Sequence, residues 1–121
     1  MKQLTIVLLF LLSYQVNSQR LDQKSKDHHQ QKIIVYGSDS CHSCIDTKAF
    51  LKEKGIKFTY YDIDINKEKE QEMLVKLQKA SIPIHTLNLP VIDNKGTVFL
   101  NKGNLKEFLK VVDQKIKKDE N

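Results

Sequence analysis

Ile33-Ile34-Val35-Tyr36-Gly37-Ser38-Asp39-Ser40-Cys41-His42-Ser43-Cys44 is the stretch whose reading decides the fold of this chain. The apolar run 33–36 has the length and β-branched character of a strand, and Gly37-Ser38-Asp39-Ser40 is turn-prone. Beyond the two cysteines, Ile45, Ala49 and Phe50 recur at helical spacing toward Lys54, and Gly55 is placed to end the helix in the left-handed conformation. Cys41 therefore falls at a helix N-terminus, where free backbone N–H groups and the positive dipole end favour a thiolate over a thiol. The sequence holds 2 cysteines, so they either work on each other or share a ligand that they satisfy only in part. A redox pair is the simpler reading.

Downstream the pattern stays regular. Ile56 to Ile65 reads as a second strand, with Phe58, Tyr60 and Ile63 among polar neighbours. A strand, a helix and a strand in roughly 30 residues suggest a right-handed parallel crossover. Asn66 to Ala80 is an amphipathic helix with Met73, Leu74, Leu77 and Ala80 on one face. Ser81 to Asn88 is a loop containing Pro83. Leu89–Asp93 and Thr97–Leu100 flank Asp93-Asn94-Lys95-Gly96 and read as an antiparallel hairpin. Asn104 with Glu107 is a capping pair for a last helix whose core stripe is Leu105, Phe108, Leu109, Val112 and Ile116. The order is β-α-β-α-β-β-α.

Length and composition bound the rest. With 121 residues, 40% hydrophobic, 4 Gly and 2 Pro, there is room for one small domain, placed at 32–118 with a short tail at 119–121. Lys2, the apolar run Leu4 to Leu12 and Val16-Asn17-Ser18 have the form of an export signal over residues 1–18, cut after Ser18. The run falls short of the roughly 20 apolar residues of a membrane span. A periplasmic or secreted protein is expected, with no membrane attachment after cleavage, in a compartment where a disulfide persists. Residues 19–31 carry one aliphatic side chain, Leu21, and read as a flexible tether in which His28 and His29 are solvated. The net charge of +5 is spread among acids on helix faces, without the aromatic interleaving of a single-strand binder, so nucleic acid is not an expected partner.

The Cys-x-x-Cys between first strand and first helix, this order of elements, Leu89-Pro90-Val91-Ile92 opening the third strand and a glycine before the last helix together resemble the glutaredoxin branch of the thioredoxin-like fold, over Lys32 to about Lys117. The resemblance implies an α/β, three-layer, glutaredoxin-type fold with a four-stranded mixed sheet. It implies a thiol–disulfide oxidoreductase in which Cys41 is the exposed nucleophile and Cys44 the buried resolving thiol. Pro90 matches the family's cis-proline, which leaves the Leu89 backbone free to pair with substrate, and Gly103 matches the glycine before the last helix.

The sequence departs from members that use glutathione at His42-Ser43, Asn88-Leu89 and Lys102-Gly103-Asn104, which speaks against a glutathione site; no other cofactor is implied. The expected partners are protein disulfides or dithiols and a second redox protein, with the chain acting as a monomer. His42, between the thiols, would favour the Cys41 thiolate when protonated. Two other readings stay open on the residues alone. One is a thioredoxin-like binding module with a structural disulfide, and the other is a metal site completed by histidines such as His42 and His85, although no matching second cysteine pair is present.

Overall fold

The computed structural model describes residues 32–120. The segments read as export signal and tether lie outside them. The elements are β1 (Ile33–Gly37), α1 (His42–Glu53), β2 (Thr59–Asp62), α2 (Lys67–Lys79), a 3-10 turn (Ile84–Thr86), β3 (Val91–Asn94), β4 (Thr97–Leu100) and α3 (Leu105–Lys118). The sheet order is β2-β1-β3-β4. β1 runs parallel to β2 and antiparallel to β3, and β3 pairs antiparallel with β4. This is the α/β arrangement with a four-stranded mixed sheet that the resemblance implied.

Alternation along the central strands splits the core in two, because successive side chains of a strand point to opposite faces. Ile33, Val35 and Ile92 face α1 and α3, packing with Leu51, Phe108, Val112 and Ile116. Tyr36 and Val91 face α2 and pack with Ile63, Met73, Leu77 and Leu100. The sheet is thus the middle of three layers.

Four expectations need correction. The buried stripe of α1 is Cys44, as the resemblance implied, with Thr47 and Leu51; Phe50 packs partly buried against the same core, whereas Ile45 is 45% exposed and Ala49 faces solvent. Helical spacing is satisfied by either set; contact with β1 and α3 selects the one that carries Cys44. β2 is shorter than the run 56–65, because its pairing with β1 covers only Thr59↔Ile34 through Asp62↔Gly37. Gly37 accordingly closes β1 rather than opening the loop. β3 begins at Val91 rather than Leu89, since its ladder with β1 starts at Tyr36↔Val91 and Pro90 has no N–H to add to it.

Local signals elsewhere hold. The hairpin turn is Lys95-Gly96 with φ of 52° and 100°, the doubly left-handed turn that matches strand twist. Asn104 caps α3 by accepting from the Glu107 N–H at 3.2 Å.

A polar network crosses the α2 face. Lys76 Nζ donates to Tyr36 Oη at 2.7 Å and pairs with the buried Asp93 at 2.7 Å, while Glu72 accepts from Tyr36 Oη and from Lys69 Nζ, the latter at 2.6 Å. Burial pushes the Glu72 carboxyl up, but the hydrogen bonds from Lys69 and Tyr36 and the charges of Lys69 and Lys76 outweigh it and hold the pKa at about 2. A carboxyl lowered on folding contributes stability that is full above its unfolded value and is lost as pH falls through its folded one. The thermal midpoint is therefore expected to fall between about pH 4.5 and pH 2, with a shallower slope in Glu72→Gln. Superimposable pH–stability curves for the two proteins would show that the network contributes nothing there.

Candidate active site

The β1–α1 junction is built to present one sulfur and hide the other. Ser38 organises the loop: its hydroxyl is bonded to the Asp64 carboxylate and lies 2.7 Å from Ser40 Oγ, and its carbonyl accepts from the Cys41 N–H at 3.1 Å. Asp62 receives the Asp39 N–H at 3.4 Å and the Asp64 N–H at 2.9 Å, so the loop is tied to the end of β2. Cys41 is the N-cap of α1, in an extended conformation with φ of −97° and ψ of 115°. Its Sγ accepts a hydrogen bond from the Cys44 N–H at 3.3 Å. An amide donor and a helix N-terminus directed at one sulfur favour negative charge on it.

Cys44, one turn on, is fully buried, while Cys41 is partly exposed. Burial in the first place, and then the neighbouring Cys41 sulfur, push the Cys44 thiol up to about 12; the Ser38 backbone and the Lys48 charge act in the opposite direction without overcoming them. The two thiols thus meet different environments within one helical turn. Thr47, buried beneath them, satisfies its hydroxyl on the Ser43 carbonyl at 2.6 Å.

The Leu89–Pro90 peptide is cis, as the resemblance implied, and Pro90 is buried. The Leu89 carbonyl lies 3.9 Å from Cys41 Sγ and accepts from that thiol. Leu89 and the motif, 48 residues apart in sequence, are therefore brought together. Gly103 is exposed in the β4–α3 loop with φ of 107°, and its N–H donates to Asn101 Oδ1 at 3.0 Å. His42 is exposed on the first turn of α1, and His85 is exposed on the 3-10 turn. Among the described residues, no three of His, Cys, Asp and Glu are grouped as metal ligands.

Several residues at the site escape a reading of the sequence. Lys48 is ion-paired with Asp39 at 3.0 Å and stands 3.9 Å over the Tyr60 ring. Tyr60 in turn reaches across Gly37 toward Cys44: a Cβ on Gly37 would lie 3.0 Å from both Tyr60 Oη and Cys44 Sγ. The one available signal was Gly37 at the end of an apolar run, since glycine in a strand often marks a close approach.

Residues 33–84 match the family model for glutaredoxin, a span that includes Cys41 and Cys44 and ends before Leu89. Among solved structures, the chain is similar to a glutaredoxin from Archaeoglobus fulgidus, with 25% identity, 63% of this chain and 83% of that one covered, and a TM-score of 0.45. No curated protein matches the sequence.

Proposed function

We propose, from the premise that this chain is a glutaredoxin-like protein of the thioredoxin-like superfamily, that it exchanges disulfides with proteins outside the cytoplasm through Cys41 and Cys44. The observation that carries this reading is the asymmetry of the thiols: Cys41 is accessible and capped by an amide donor, and Cys44 is buried with its proton held to about pH 12. The extracytoplasmic assignment rests on the signal-like run Leu4–Leu12.

The chemistry follows from that order. Cys41, as thiolate, attacks one sulfur of a substrate disulfide; a Cys41–substrate bond forms, the substrate S–S bond breaks, and the other substrate sulfur leaves as thiolate. Cys44 then gives up its proton and attacks Cys41 Sγ. The Cys41–Cys44 disulfide forms, and the second substrate sulfur departs with a proton. The cysteines have been oxidised and the substrate reduced by two electrons, and the reverse sequence oxidises a dithiol. In this reading the Leu89 backbone, set beside Cys41 by the buried Pro90, pairs with an extended substrate segment. His42, exposed at the same helix end, adds positive charge there when protonated. Gly103 flanks the substrate only if the substrate extends to the β4–α3 loop.

The competing reading is a binding module with a static disulfide, and the reduction potential separates the two. Working oxidoreductases lie between about −270 and −120 mV, while structural disulfides fall below about −300 mV. Equilibration of the Cys41/Cys44 couple against defined thiol buffers is expected to give a value in the first range. A value in the second would sink the enzymatic reading.

A further inference from the structure

The resolving step poses a problem that the two cysteines do not solve alone. Cys44 must become a thiolate to attack the mixed disulfide, yet its buried position holds the proton on. Something has to meet the charge that develops on that sulfur.

Across Gly37 stands the Tyr60 hydroxyl. It is buried and makes no hydrogen bond of ordinary geometry among the described residues, and the nearby Asp39 carboxylate is its one competing acceptor. A buried hydroxyl without a partner is costly, so its position calls for an explanation. The β1–β2 register pairs Tyr60 with Val35, and the ring extends along the sheet so that Oη and Cys44 Sγ crowd the same point above Gly37, each 3.0 Å from where a Cβ would stand. Lys48 Nζ, 3.9 Å from the ring centroid, places positive charge on the face of the tyrosine and makes its O–H a stronger donor.

We propose that Tyr60 is the positioning residue of the resolving step: its hydroxyl donates a hydrogen bond to Cys44 Sγ as that sulfur takes on negative charge and attacks Cys41. This rests on the dithiol reading above and adds to it a named donor for the second exchange. The proton leaving Cys44 ends on the departing substrate sulfur, and Tyr60 keeps its own throughout. Burial, followed by the charges of Cys44 and Asp39 and a hydrogen bond to the Asp39 carboxylate, raises the hydroxyl's pKa, so it keeps its proton and stays a donor. The other charged groups facing this point are Cys41 in the motif, Lys48 on α1, Asp39 in the loop and Asp62 on β2; the Lys48–Asp39 pair at 3.0 Å is internally compensated.

The test is a stopped-flow reaction of the reduced full chain with excess dithiobis-nitrobenzoate, which releases a coloured thiolate once when Cys41 attacks and again when Cys44 resolves. Tyr60→Phe keeps the ring and its cation contact and removes only the oxygen. The first phase is expected to be unchanged and the second slowed by about tenfold, the scale of one hydrogen bond to a charged group. The midpoint of the second phase's pH profile should move up by about one unit. The thermal midpoint should change little, because the hydroxyl makes no hydrogen bond of ordinary geometry that the substitution would remove. A second phase within twofold of wild type and with the same pH profile would overturn the role of Tyr60 while leaving the dithiol reading intact. A single phase in the wild-type protein itself would instead overturn the dithiol reading, and this inference with it.

Discussion

Cys41→Ser is expected to abolish disulfide exchange, and Cys44→Ser to convert the protein into a trap. The first substitution removes the accessible one of the two thiols, and a serine hydroxyl at a helix N-terminus has none of the nucleophilicity of a thiolate, so turnover should fall by on the order of a thousandfold or more. The second leaves the N-cap hydrogen bond in place, because the donor to Cys41 Sγ is the backbone N–H of residue 44 and not its side chain. The first exchange therefore proceeds and stops at the mixed disulfide. Non-reducing electrophoresis of each variant after incubation with an oxidised protein substrate reads the difference: adducts accumulate with Cys44→Ser and are absent with Cys41→Ser. Equal loss without adducts in both would return the cysteines to a structural role.

Gly37→Ala should damage stability and catalysis together. The added Cβ would stand 2.9 Å from Tyr60 Cε2, closer than a real Cβ essentially ever comes, and 3.0 Å from Cys44 Sγ and Tyr60 Oη, tighter than nearly all real Cβ contacts. Neither neighbour yields easily. Cys44 is buried on the core face of α1, and the Tyr60 ring is held between Gly37 and the Lys48 ammonium. Overpacking of this kind costs about 1–3 kcal/mol, which for a domain of this size lowers the thermal midpoint by about 4–8 °C per kcal/mol. Displacing either group also misaligns Cys44 with Cys41, so the resolving phase should slow beyond what the stability loss explains. Calorimetry beside the two-phase thiol assay checks both halves; wild-type values in each would mean that the junction is looser than the structure indicates.

Residues near one another in the chain carried most of what could be read early. The two-cysteine motif follows a short apolar run and precedes a helical one, Asn104 stands three residues before Glu107, and Lys95-Gly96 separates two apolar runs. Each is a signal whose physics acts over a few residues: a cap satisfies an N–H three positions on, and a turn needs two residues with positive φ. The order of elements followed from these, and the three-layer α/β fold from the resemblance that the order helped to carry. Strand ends were less legible, because a ladder stops where its partner stops. Ile63 and Ile65 have the composition of β2 but find no partner beyond Gly37.

By itself, then, the sequence determined the order of elements, the helix-capping position of Cys41, the placement of Cys44 one turn on, and the likeness that points to dithiol chemistry. Only the tertiary structure decided which stripe of α1 is buried, how strongly Cys44 is desolvated, and that Tyr60 and Lys48 belong to the site. The physical reason is distance along the chain. Helical periodicity allows either the Ile45 or the Cys44 face to turn inward, and the choice is made by contacts with β1 and α3. The approach of Tyr60 to Gly37 arises from the parallel β1–β2 register, and the Leu89 carbonyl reaches Cys41 across 48 residues of intervening chain. No local pattern records such approaches, because they exist only once the sheet has brought its strands together.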